Sequence, residues 1–452
     1  MQVQSKFILS ALVAFLAISC SSDPKWNEAR IEGSISVADS VDSSGDYSGI
    51  EVMITYQENV DAKIDTIFKE QTDKNGLLNG SVKFPTRGVY PVYISRNGNQ
   101  VAASQFILAD NDTIKFSGEL PGFNQNIEID SREHRGMQMF NRIDRGFNRV
   151  AAYINAGAVD DTLIYDEVYK WSNLYWEVTE RNPGTVAEIL ASSESVRLLN
   201  IIDQPMMMTR IDQALKNERF VLSASNYGMK YKAETQGLDA AISYLDSLMD
   251  LTDTDDLLIN LKQKQIELYY DSAKVDEAKN KLEAFEKEYK ETKRAMDWAR
   301  VIGYDLAYLA PGYRVPDFSF VTQEGDSVNA STLLGKPFIL EITPVANRLY
   351  QDQYDRTVVI QQIYQNYDLE IYTIPLDQSE VTVNAFFEER VKHWGVAEFG
   401  TFDIKKLIED FNVTDIPTRI LVDQQGNIVR KYIATEFTDV IQGMNTIISQ
   451  TK

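Results

Sequence analysis

Three hydrophobic rhythms follow one another along the chain. From residue 26 to about 128, apolar positions alternate with polar ones. Ile31, Ile35 and Val37 stand among small or polar residues, Ile50, Val52, Ile54 and Tyr56 keep a period of two, and Tyr90, Val92 and Ile94 do the same. A period of two puts one set of side chains on one face of a strand. Further strands are expected over 101–108 and 113–116, split by Ala109-Asp110-Asn111-Asp112. Turn clusters separate the runs, at Asp42-Ser43-Ser44-Gly45-Asp46, Asp73-Lys74-Asn75-Gly76 and Asn97-Gly98-Asn99. About seven short strands over this length predict a small β-sandwich.

From 131 to 309 the period lengthens to that of helices. The expected helices are 137–156, 161–181, 185–200, 205–216, 238–249, 256–270 and 275–308, with a break at Pro183-Gly184. Asp253 or Thr254 is placed to cap the helix that begins near 256. Val275, Ala278, Leu282, Phe285 and Tyr289 are spaced 3-4-3-4 and so share one face. Tyr269, Ala278 and Leu282 resemble part of a tetratricopeptide hairpin. Only one such unit is visible, and a stacked array needs about three. The expectation is a helical domain with one antiparallel helix pair.

The third rhythm mixes the two. Residues 338–342 form a nearly unbroken apolar run, as in a strand buried on both faces. A helix is expected over 352–367, a buried strand over 369–375, and helices over 381–393 and 404–411. Strands 418–422 and 428–432 pair across a turn, and Val440, Ile441, Met444 and Ile448 mark a closing helix. A βαβ core is thus followed by a hairpin and a helix. The whole reads as a multidomain α+β protein: a β-sandwich (26–128), a helical domain (131–309) and a C-terminal α/β domain (310–452).

Charge and cysteine usage narrow the functions. Among 452 residues, 45 Lys and Arg oppose 67 Asp and Glu, a net of −22. Such a surface repels nucleic acid, which is not expected as a partner. The one cysteine, Cys20, ends an apolar run (7–18) that follows Lys6. This is the layout of a signal peptide. Ala17, Ile18 and Ser19 before Cys20, with Ser21 and Ser22 after it, resemble a lipoprotein signal. The resemblance implies a signal over 1–19, lipid on Cys20, a tether over 20–25 and anchoring to a membrane without a spanning helix. It further implies a bacterial cell envelope protein. Ser21 in place of Asp points to an outer membrane lipoprotein facing the periplasm.

Other candidate sites dissolve on inspection. Asp39, Asp42 and Asp46 crowd one loop but match no EF-hand register. Asp250, Asp253, Asp255 and Asp256 lack the glycine such a loop needs. Met206, Met207 and Met208 point about 100° apart on a helix and read as packing residues. His134 and His393 have no partner at ligand spacing. No metal and no cofactor are expected.

The C-terminal domain carries a family resemblance. Ala310-Pro311-Gly312, Val315-Pro316-Asp317-Phe318, Leu334-Gly335-Lys336-Pro337, the strand 338–342, Val413-Thr414-Asp415-Ile416-Pro417-Thr418 and Asp423-Gln424-Gln425-Gly426 stand in order. Together they resemble the TlpA-like branch of the thioredoxin fold, the membrane-anchored thiol–disulfide oxidoreductases related to the thiol-specific antioxidant family. The 26–128 segment loosely resembles the domain that often precedes it.

Where that family has Cys-x-x-Cys, this sequence has Asn347-Arg348-Leu349-Tyr350. Disulfide exchange needs a thiolate at a helix N-terminus and a second thiol to resolve the mixed disulfide. Neither Asn347 nor Tyr350 supplies one, so conventional thiol chemistry is excluded and enzymatic activity is not expected. The resemblance also implies a cis proline at Pro417, beside which relatives pair an extended substrate through the backbone. It marks Glu341 as a relic of a buried proton-moving acid. In this apolar strand Glu341 is expected to be partly exposed, hydrogen-bonded or raised in pKa.

Three functions follow. One is a redox-inactive lipoprotein binding an extended peptide or a protein in a groove of Val345, Ala346, Asn347, Arg348, Tyr350 and Ile416, Pro417 and Thr418. The alternatives are an oxidoreductase with unconventional activity and a structural or assembly lipoprotein.

Overall fold

A computed structural model describes residues 26–57, 63–388 and 390–451. The expected signal, Cys20 and the expected tether lie outside the described residues. No helix among those described is long and apolar enough to cross a membrane. The chain divides into two compact units, 1–220 and 221–452. The division falls inside the stretch expected as one helical domain.

The first unit opens with β1 (Asn27–Val37), β2 (Glu51–Tyr56), β3 (Asp65–Gln71), β4 (Leu77–Phe84), β5 (Gly88–Arg96), β6 (Asn99–Leu108) and β7 (Thr113–Leu120). A short helix, α1 (Phe123–Asn126), leads to β8 (Glu128–Asp130). Two four-stranded sheets result, ordered β4-β1-β7-β8 and β3-β2-β5-β6. Alternate residues of each turn inward: Ile31, Val82 and Ile114 from one sheet meet Val52, Ile54, Val92 and Phe106 from the other in one core. This is the expected sandwich. Strands β3 and β4 carry too few alternating apolar residues to stand out in the sequence.

Helices α2 (Arg132–Asn155), α3 (Asp161–Arg181), α4 (Val186–Ile202) and α5 (Gln204–Ala214) complete the unit. Phe147, Tyr175, Val178 and Leu198 centre their core. Met207 is buried, as packing predicts. The acids of the 39–46 loop serve the turn itself: Asp42 accepts the Ser44 N–H and pairs with Arg96, and Asp46 accepts the Ser48 N–H.

The second unit begins with α6 (Val221–Gln236), which the hydrophobic period missed. It continues with α7 (Leu238–Met249), α8 (Asp255–Asp271), α9 (Val275–Tyr289) and α10 (Lys293–Tyr308). The long helix expected over 275–308 is therefore two. The chain turns at 290–292, where Thr292 N–H bonds to Tyr289 O (2.8 Å), and α10 folds back so that Trp298 meets Phe285 (5.3 Å between ring centres). No Gly or Pro signals this turn. Thr254 is the residue at the N-cap of α8, and its side chain makes no capping bond.

The remainder is an α/β domain. A hairpin, β9 (Ser319–Val321) and β10 (Ser327–Asn329), precedes β11 (Phe338–Thr343), α11 (Arg348–Ile363) and β12 (Glu370–Pro375). Then come α12 (Glu380–Glu388), β13 (Gly395–Val396), α13 (Ile404–Asp410), β14 (Thr418–Val422), β15 (Ile428–Ile433) and α14 (Val440–Thr451). The sheet order is β13-β12-β11-β14-β15, with β11 parallel to β12 and antiparallel to β14. All six residues of β11 are buried. Leu340 and Ile342 face one core while Ile339 faces the other, so helices cover both faces of the sheet.

Candidate functional site

The site lies where β11 runs into α11. Asn347 is the N-cap, and its side-chain oxygen accepts the Tyr350 N–H (3.0 Å). The turn before it is held from β12's end: the buried Asp377 carboxylate accepts the N–H groups of Val345 (2.7 Å) and Ala346 (3.2 Å). Gln351 Nε2 donates to Val345 O (3.1 Å).

Tyr350 takes the space beneath. It is fully buried, its ring packed against Tyr354 and Phe386. Its hydroxyl meets Glu341 Oε2 (3.3 Å) and Thr373 Oγ1 (3.2 Å). Burial, and then the neighbouring Glu341 charge, push the phenol well above its ordinary pKa, so it stays neutral. A neutral phenol locked in a core is no nucleophile.

Glu341 is fully buried and hydrogen-bonded, not partly exposed. Register explains how. Directly across from it stand Thr373 on β12 and Arg419 on β14. Arg419 Nε donates to Glu341 Oε1 (2.7 Å), and Thr373 Oγ1 donates to Oε2 (2.9 Å). Trp394 Nε1 donates in turn to Thr373 Oγ1 (2.8 Å), and Arg419 Nη1 to Gln353 Oε1 (2.8 Å). The guanidinium also lies 4.0 Å from the Phe437 ring centre. A carboxylate in a core is tolerable only when paired and hydrogen-bonded. Here three donors from three elements meet that demand.

Arg419, Thr373, Trp394, Gln353 and Asp377 were not anticipated. The signal for Arg419 was available: each of the apolar runs 338–342 and 418–422 contains a single charge, and antiparallel pairing sets the two opposite each other.

The proline loop closes the site. The Ile416–Pro417 peptide is cis. Thr418 Oγ1 donates to Asp415 O (2.5 Å), and Pro417 O accepts the Ala434 N–H (2.9 Å). The expected groove needs correction. Val345, Tyr350, Pro417 and Thr418 are buried, because strand β14 and the core claim them. Ala346, Arg348 and Ile416 are exposed, Ile416 at 38 % and the Arg348 side chain at 92 %. Among the described residues no cluster of acids, histidines or cysteines is placed to hold a metal ion.

The strand order β13-β12-β11-β14-β15, with helices on both faces and a cis proline just before β14, is that of a thioredoxin-like domain. Residues 340–428 match the family model described as thioredoxin-like. A stretch of 151 residues is 24 % identical to the thiol-disulfide oxidoreductase ResA of Bacillus cereus, covering 31 % of this chain and 79 % of that protein. Among solved structures, the thioredoxin domain of a thiol-disulfide oxidoreductase from Bacteroides vulgatus is 20 % identical, with a TM-score of 0.28 over 30 % of this chain and 97 % of that one. A thiol:disulfide interchange protein from Chlorobium tepidum is 20 % identical, with a TM-score of 0.25 over 29 % and 94 %. The domain is thus thioredoxin-like and similar in sequence to that ResA protein, and the single cysteine of the chain, Cys20, is not in it.

Proposed function

We infer that this is a redox-inactive member of the oxidoreductase superfamily, kept as a binding module. It is anchored by lipid on Cys20 in a bacterial envelope, at the outer membrane facing the periplasm. Ala346, Arg348 and Ile416 form the surface that meets an extended peptide or a protein partner. One observation carries the reading: the proline loop and the α11 turn are retained while Tyr350 fills the resolving position and joins the buried Glu341–Arg419 network.

The reading makes two testable claims. Purified protein gives background turnover in an insulin-reduction assay, with or without Cys20→Ser. Cross-linking in intact cells captures a partner that Arg348→Ala with Ile416→Asp loses. Turnover that survives Cys20→Ser sinks the first claim. Capture that survives the double substitution removes this surface as the binding face, and capture that survives deletion of 311–452 favours an assembly role for the preceding domains.

A further inference from the structure

Helix α2 carries a charge pattern at odds with the rest of the chain. Its 24 residues hold five arginines and two carboxylates, in a protein of net charge −22. Gln138, Arg142, Arg145, Arg149 and Tyr153 follow at spacings of 4, 3, 4 and 4, so they share one face, and all five are exposed. The side chains of Arg142, Arg145 and Arg149 make no ion pair or hydrogen bond among the described residues. The acids around them are engaged elsewhere. Glu133 is buried against Arg87, Asp144 accepts from Asn148 and Tyr175, Asp130 pairs with Arg135, and Glu194 pairs with Arg197. The opposite face of α2 is committed to the core through Phe140, Ile143, Phe147 and Ile154. Like charges three and four residues apart weaken a helix, so the row of arginines does nothing for α2 itself.

We propose that this row is a docking face for an anionic lipid surface. The arginines meet headgroup phosphates, and the Tyr153 ring sits at headgroup level one turn further on. The composition of the face favours lipid over protein. Every exposed residue of α2 before Ala152 is Arg, Gln or Asn. A protein partner needs buried apolar anchors at the centre of its contact, whereas a plane of phosphates needs none. The net charge of −22 opposes this little, because the fields of exposed charges fade beyond about 8 Å at physiological salt, and a surface that meets α2 senses the row first. Because the apolar face is taken by the core, contact is peripheral, without insertion, and sensitive to salt.

The path of the chain points the same way. Asn27 and Arg87 line one cleft with Gly184, and Arg132, the first residue of α2, donates to Pro183 O. The described chain therefore enters the fold beside the start of α2. Seven residues of extended chain reach about 25 Å, so a lipid on Cys20 would keep Asn27 within that distance of a membrane. This step rests on the anchoring proposed above; the charge argument does not.

Co-sedimentation with vesicles tests the proposal. The protein used is the chain from Ser21, which lacks the apolar run 7–18 and keeps every described residue. The vesicles are phosphatidylcholine alone or with about one-third phosphatidylglycerol. A basic residue near such a surface is worth about fivefold in affinity. Binding should need the anionic lipid and fall as salt rises. Arg142→Gln with Arg145→Gln and Arg149→Gln should weaken it by about tenfold or more. The same three positions changed to Lys should bind like the native chain. Lys287→Gln with Lys290→Gln and Lys293→Gln, which removes the same charge from exposed positions elsewhere, should leave binding within about twofold. Equal binding to both vesicle types, binding kept by the first glutamine variant, or an equal loss in the second overturns the proposal. So does loss in the lysine variant, which marks a site that needs the guanidinium fork, as an acidic protein partner does. Anionic-vesicle binding that persists while Cys20 is found without lipid in cells sinks the anchoring reading alone.

Discussion

Arg419 shows how one side chain defines the altered site. Glu341 and Arg419 are both buried, and each has given up water for the other. Removing one partner strands the other, which costs about 3–5 kcal/mol, whereas replacing both by apolar groups is often neutral or better. Arg419→Met should therefore destabilise the second unit by about that amount, and Glu341→Leu with Arg419→Met should recover most of it. Urea unfolding followed by Trp394 fluorescence reads both; equal losses in the single and double variants would show that the pair is not the determinant. The same crowding bears on restoring thiols. Asn347→Cys with Tyr350→Cys removes a ring packed on two others, and should cost about 3–5 kcal/mol in the same measurement. The absence of cysteine at 347 and 350 was legible in the sequence because a missing thiol is a local fact. The gain of the network was not, because Arg419, Thr373 and Trp394 meet Glu341 only through strand register and loop path.

At the scale of elements, hydrophobic period located those that bury large side chains at regular spacing. Strand β11, helix α7 and the α9 face Ala278, Leu282 and Phe285 are of this kind. It missed α6, whose buried face is Val221, Ala224, Ser225 and Gly228. Small residues carry little hydrophobic signal, yet they allow close approach, and Gly228 does so against Tyr244. A Cβ there would lie 2.4 Å from Tyr244 Oη and 2.6 Å from the ring. In an open helix, Gly→Ala stabilises by about 1 kcal/mol. Here the clash should reverse the sign and leave a net loss of about 1–2 kcal/mol. Thermal unfolding of Gly228→Ala, and of the same change with Tyr244→Leu, decides the point. A stabilised single variant would mean that α6 and α7 separate at no cost.

At the scale of the whole molecule, the division of labour among domains is where sequence reasoning and contacts part. A change of rhythm near 310 suggests a boundary, and the α/β order begins there. Side chains nevertheless cross it. Lys431 is sealed against Asp305 of α10, and Asn412 donates to both Asp305 Oδ1 (2.8 Å) and Val301 O (3.0 Å). A fragment cut at 310 keeps Lys431 on β15 and discards its carboxylate, and uncovers the strand that Arg430 and Asp271 clamp. Losing the partner of one buried charge costs about 3–5 kcal/mol, which for a unit of this size lowers the melting midpoint by roughly 10 °C. The fragment 221–452 should therefore melt in one transition, and the fragment 310–452 should melt roughly 10 °C lower or fail to fold. Equal midpoints would put the boundary back at 309. The thioredoxin-like domain would then stand by itself, and helices α6 to α10 would have no hold on its proline loop.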